Sequence, residues 1–177
     1  MKVIKVTSSI ADKIAAVEAA VYPGLYRLGE KGIRENLSEM EKNNCNFSWA
    51  TVDKEGNINA YILAYLDNSH REDDEPVAYV DDIVITESAR KTSVYFLLKA
   101  MIDEYTGMGL PKLPIEGVSR ENAHKMWSRH GHSRTIAKLG YHMTDSFTYF
   151  DEDMGCDLYW VRFEDINSHD RSGHNEK

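Results

Sequence analysis

Two adjacent carboxylates, Asp81 and Asp82, interrupt the apolar run Val77 to Ile85 (VAYVDDIVI). A carboxylate held in or near a cleft can take a proton from an amine, directly or through water. The competing reading of the pair is structural: a cap on backbone N–H groups, or an ion pair with lysine or arginine. If the run is a strand, its side chains alternate and the two carboxylates point to opposite faces. The run continues through a short turn into a helical pattern. Such a junction turns unpaired N–H groups and the positive end of the helix dipole outward, which suits a phosphate. The turn residues are small or basic, namely Ser88, Ala89, Arg90, Lys91, Thr92 and Ser93, and this fits a diphosphate. An ordinary helix start capped by Thr92 or Ser93 remains the alternative.

Other candidates carry less. Glu116 is a reserve carboxylate on a predicted strand. Asn122 either bonds a ligand or caps the helix that starts near Ala123. His124, His130, His132 and His142 have spacings that match no zinc-ligand pattern, so no metal is expected. Tyr22 and Tyr26, with Phe147, Tyr149, Tyr159 and Trp160, either line a pocket or pack as sheet core. Cys45 and Cys156, with no CxxC pattern, are expected to be free thiols. No P-loop, nucleophile elbow or dinucleotide fingerprint occurs.

The elements that must position these groups follow from periodicity. Residues 2–7 read as a strand. Ser9-x-x-Asp12 reads as a capping box for a helix with Ile10, Ile14, Val17 and Val21 on one face, stopped by Pro23-Gly24. A second amphipathic helix spans about 30–43 on Ile33, Leu37 and Met40. Residues 47–51 and 58–66 form a hairpin around Asp53–Asn57. An acidic loop over 67–76 precedes the strand with the carboxylate pair. Val94, Leu97, Leu98, Met101, Ile102 and Tyr105 form one face of a helix over about 91–106. A strand over 113–118, helical segments within 121–139 broken near Gly131, and two strands over 142–150 and 156–164 complete the pattern. The order is βααβββαβαββ, a mixed α+β chain with a six- to seven-stranded sheet. Residues 1–166 are expected to form one domain and 167–177 a disordered tail.

The 177 residues carry 21 basic and 29 acidic side chains, a net charge of −8. That balance argues against a duplex nucleic-acid partner, which usually selects a basic excess. No apolar run approaches the roughly 20 residues of a membrane span, and the start lacks the apolar core of a signal peptide. A cytoplasmic protein is the expectation.

The segment from Tyr79 to Leu98, with this element order, resembles the GNAT superfamily of acyl-CoA-dependent N-acyltransferases. Ile85-Thr86-Glu87-Ser88-Ala89-Arg90 is similar to the family's Val-x-Pro-x-x-Arg strand end, with Glu87 where proline is common. Arg90-Lys91-Thr92-Ser93-Val94-Tyr95 stands where Arg/Gln-x-x-Gly-x-Gly/Ala holds the CoA diphosphate. Val80-Asp81-Asp82-Ile83 is similar to the hydrophobic-Glu-Asp-hydrophobic strand of polyamine and amino-sugar members. Ala137-Lys138-Leu139-Gly140-Tyr141 matches the usual close, and the resemblance covers about residues 2–165. It implies the GNAT fold, acetyl-CoA as acyl donor, and direct attack by a primary amine on a small molecule or a protein; the acidic loop 67–75 with Asp81 and Asp82 would favour a cationic acceptor by electrostatic attraction. It assigns Asp81, with Asp82 beside it, to proton removal. Cofactor contacts fall on Ile83, Val84, Ile85, Arg90, Lys91, Thr92, Ser93, Val94, Tyr95 and Asn122. A homodimer through a sheet edge is a further implication. The chain departs from the pattern at Ser93 and Tyr95, which replace glycines, and no tyrosine stands at the position of the family's helix acid. These departures support the alternative of a GNAT-fold binding or regulatory protein without turnover.

Overall fold

A computed structural model describes residues 2–22, 27–67, 75–89, 92–120, 132–152 and 155–167. Strand β1 (Lys2–Lys5) runs through a short 3-10 turn (Ser8–Ile10) into α1 (Ala11–Val21) and α2 (Gly29–Lys42). Then come β2 (Trp49–Val52), β3 (Ile58–Asp67), β4 (Val77–Ile85), α3 (Ser93–Gly107), β5 (Ile115–Arg120), α4 (His132–Ala137), β6 (Tyr141–Asp151) and β7 (Cys156–Asp165). The strands form one sheet ordered β1-β2-β3-β4-β5-β7-β6. Every neighbouring pair is antiparallel except β4 with β5. The α+β order expected from periodicity is therefore the order found.

The sheet is covered on both faces by different helices. On one face Val94, Leu97, Leu98, Met101, Ile102 and Tyr105 of α3 pack on Ala60, Ile62, Ala78, Val80 and Ile83. On the other, Ile14 and Val17 of α1 and Ile33 and Leu37 of α2 pack on Tyr61, Leu63 and Val84. Full burial of each large apolar side chain contributes up to about 1.5–3 kcal/mol, which fixes strand register against slippage.

Two local features differ from the sequence expectation. Ser9 and Asp12 make no capping box, because the 3-10 turn takes up Ser8–Ile10 and α1 starts with no side-chain cap. Instead, the Ser9 hydroxyl lies 2.7 Å from that of Thr7. Helix α2 is capped from a distance. The carboxylate of Glu18, only 3% exposed, accepts the N–H groups of Leu28 and Gly29 at 2.7 and 2.9 Å. A negative group at a helix N-terminus satisfies orphan donors and opposes the helix dipole. Glu18→Gln keeps the shape and loses the charge. It should destabilise the fold by about 1–3 kcal/mol, read as a lower urea midpoint at unchanged slope.

Candidate active site

The site is built where β4 leaves β5. The two strands pair only from Ala78–Ile115 to Val80–Gly117, yet β4 runs on to Ile85 and β5 to Arg120. Among the described residues, no strand pairing joins the two beyond that point, and this break in the ladder is called the notch. The β3 side fixes which β4 groups face it. Thr86 donates its N–H to the Asn59 carbonyl at 3.0 Å, and pairing with β3 runs without interruption from Ile85 back to Asp82. Alternate residues Val84 and Asp82 therefore bond to β3, while the amides of Ile83 and Ile85 face the notch.

A β-bulge sits at the point of parting. Val80 pairs with Ala64 and Asp82 with Leu63, so Asp81 is an extra residue on β4. A bulge bends its strand and re-aims a side chain. Val80 and Ile83, three apart, consequently lie in the same core under α3, which strict alternation forbids. The expectation that Asp81 and Asp82 point to opposite faces is thereby corrected. Asp82 is on the α1–α2 face, where it accepts the Tyr22 hydroxyl at 3.1 Å and the Tyr61 hydroxyl at 3.0 Å. Asp81 lies on the same face beside Tyr65 and Tyr79, and its charge helps to raise both phenols.

The two carboxyls differ in setting. Burial pushes Asp82 up to about 6, against the opposing pull of the Tyr61 and Tyr22 hydroxyls. Asp81 is open to solvent, yet enough protein surrounds it to raise its carboxyl through lost hydration. Tyr61 is raised far out of the physiological range, first by burial and then by the Asp82 charge, so it serves as a donor only.

Helix α3 begins beyond the end of β4, with Thr92 as its first cap residue and no side-chain cap bond. Ser93 and Val94 are buried, anchoring that first turn. Tyr95 is half-buried, with its ring edge-to-face on Phe96 at 5.5 Å. With Thr92, Phe96, Thr135 and Lys138 it lines a cavity of about 330 Å³ on the α4 side of α3. Arg90, Lys91 and Asn122 lie outside the described residues, as do His124, His130, Tyr26, the Pro23-Gly24 stop and most of the acidic loop.

Other candidates resolve into structure. Glu116, 4% exposed, faces the Arg162 guanidinium at 3.0 Å, and Arg162 also reaches Glu75 at 3.1 Å and Glu164 at 2.8 Å. Tyr141 is buried core, its hydroxyl 2.6 Å from that of Tyr105. Tyr159 packs on the α3-side core, whereas Phe147 and Tyr149 stay 50% and 37% exposed. Cys45 and Cys156 are free. Sequence reading missed Tyr61 as a partner of Asp82, because a tyrosine inside an apolar strand looks like core.

No protein-family model and no curated protein sequence matches the chain. Solved structures do. A GNAT-family acetyltransferase from Streptococcus pneumoniae superposes with a TM-score of 0.61 at 14% identity, over 91% of this chain and 96% of its own. The ribosomal-protein-alanine N-acetyltransferase of Brucella melitensis gives 0.63 at 13% identity, over 92% and 98%. A GNAT phosphinothricin acetyltransferase from Sinorhizobium meliloti, solved with acetyl-CoA, gives 0.60 at 15% identity, over 91% and 86%. This chain has the fold of the GNAT acetyltransferases.

Proposed function

We propose that the protein transfers the acetyl group of acetyl-CoA to a primary amine by direct attack of the amine on the thioester. One observation carries the reading: β4 and β5 part at the Asp81 bulge, which leaves the Ile83 and Ile85 amides outside the pairing with β3, next to a carboxylate pair on the strand that leads into α3. The Sinorhizobium meliloti neighbour, solved with acetyl-CoA, supports the choice of donor. In this reading the first turn of α3, with Arg90 and Lys91 before it, holds the diphosphate. The Ile83 and Ile85 amides stabilise the oxyanion as the carbonyl carbon becomes tetrahedral. An amine with a pKa of about 10 arrives mostly protonated and must lose a proton before it can attack. Asp81, open to solvent, takes that proton through water, and Asp82 stays fixed by Tyr22 and Tyr61. The C–N bond then forms, the C–S bond breaks, and the CoA thiolate leaves on gaining a proton. The protein is taken as cytoplasmic, and its acceptor amine belongs to a small molecule or a protein.

Calorimetric titration with acetyl-CoA, followed by thiol release with a panel of amines, tests the reading. No binding at millimolar CoA overturns it.

The carboxylate pair also sets a pH dependence. Asp82 is ionised only above about 6, since burial raises it. Below that pH a proton on Asp82 removes one of the two negative charges that draw an ammonium acceptor to the pair. The turnover rate should therefore fall as pH is lowered through about 6. Tyr61→Phe removes a hydrogen bond that favours the ionised form, so it should move this limb upward. A rate flat from pH 5 to 7 would contradict both statements.

A further inference from the structure

The end of α1 is closed by a residue from outside the helix. Inside a helix each carbonyl accepts the N–H four residues on, and the last turn runs out of such donors. Tyr22 gives its N–H to the Glu18 carbonyl at 2.8 Å. The next position is Pro23, which has no N–H, so the Ala19 carbonyl loses its helical partner. Arg27 takes that place. Its guanidinium donates to the Ala19 carbonyl at 2.9 Å and to the Tyr22 carbonyl at 2.8 Å. The planar fork spans both acceptors, and its charge suits the negative end of the helix dipole.

Tyr22 is the cap residue, with extended backbone at φ −101° and ψ 142°. Its hydroxyl reaches Asp82 Oδ1 at 3.1 Å, while Tyr61 takes Oδ2 at 3.0 Å. The two phenols are held in different ways. Tyr61 is buried within β3 and paired with Val84 of β4. Tyr22 stands past the last helical bond, and Arg27 at its carbonyl sets where the phenol goes. The titratable groups that act on Asp82 are Tyr22 and Glu18 from α1, Tyr61 from β3 and Asp81 from β4. Arg27 is not among them, so its route to Asp82 is Tyr22.

We infer that Arg27 is a positioning residue of the acetyl-transfer site: by fastening the end of α1 it keeps the Tyr22 hydroxyl on Asp82, and so keeps that carboxylate charged beside Asp81. This rests on the acetyltransferase reading and deepens it. Both Arg27 contacts lie at the surface. In Arg27→Met water therefore satisfies the two carbonyls and the fold persists, but water does not tie them together. The Tyr22 phenol then strays from Asp82, whose ionised form loses a hydrogen bond that favours it.

The test uses the parent, Arg27→Met, Tyr22→Phe and the double variant. Carbon-13 NMR of the aspartate carboxyls, with Asp82→Asn to identify the signal, reads the Asp82 titration midpoint without any turnover. That midpoint should rise by about one unit in Arg27→Met, the worth of one hydrogen bond to a charged group. It should rise as far in Tyr22→Phe and no further in the double variant. Rates on the best acceptor of the amine panel read the same event. Relative to the parent, kcat/KM of Arg27→Met should be down about fivefold at pH 6 and less than about twofold at pH 8. An unmoved midpoint in Arg27→Met, a second rise in the double variant, or a rate loss equal at both pH values overturns the inference. Should no amine be acetylated, the NMR result still decides. A midpoint that moves as stated sustains the tie from Arg27 to Asp82 and removes the acetyltransferase reading alone.

Discussion

Asp81→Asn should lower turnover by about 10²–10⁴-fold, the usual contribution of a positioned general base, while acetyl-CoA affinity stays at the parent value. Asparagine matches aspartate in shape, so the bulge and the divergence of β4 from β5 should persist. What is lost is the ability to accept a proton from the ammonium. Asp82 is a poor substitute, because its oxygens already receive the Tyr22 and Tyr61 hydroxyls. In the proposed reading donor binding rests on the amides of β4 and α3, which the substitution leaves in place. Turnover and calorimetry on the same preparation separate the two effects. A variant as fast as the parent would take Asp81 out of the reaction, and a variant that no longer binds acetyl-CoA would mean that the bulge itself had collapsed.

What the sequence discloses and what it hides follow from the range of the interactions. The α3 stripe from Val94 to Tyr105 is legible because a helix repeats locally, and its burial under the sheet follows from that repeat. The strand around Asp81 and Asp82 is equally legible, and so is the turn that follows it. The bulge is not, because it exists only in the register of β4 against β3, where Leu63 and Ala64 face three residues instead of two. Alternation therefore gave the wrong face for one carboxylate. The Glu18 cap on α2 and the Tyr61 contact to Asp82 are likewise side-chain contacts across 10 and 21 residues of chain. The same reason hides the ion pair of Glu116, which reads from sequence as a spare carboxylate, although its partner stands 46 residues away on β7.

That ion pair gives the largest expected effect on stability. Arg162→Met should cost about 3–5 kcal/mol, because it strips the facing guanidinium from a carboxylate in a nearly inaccessible position. Glu116 is opposite Tyr79 in the short stretch where β4 and β5 still pair, so the penalty falls at the hinge of the notch. The exposed arm to Glu75 matters little by comparison, since solvent screens it. Loss of charge and loss of packing can be told apart. In Glu116→Leu with Arg162→Met both charges go together, and an apolar pair of similar volume often matches or exceeds a buried ion pair. The double variant should recover to within about 1–2 kcal/mol of the parent in urea denaturation, while the single Arg162→Met stays low. A double variant no better than the single one would mean that Arg162 stabilises the β5–β7 ladder through its aliphatic stem, and that its charge is incidental.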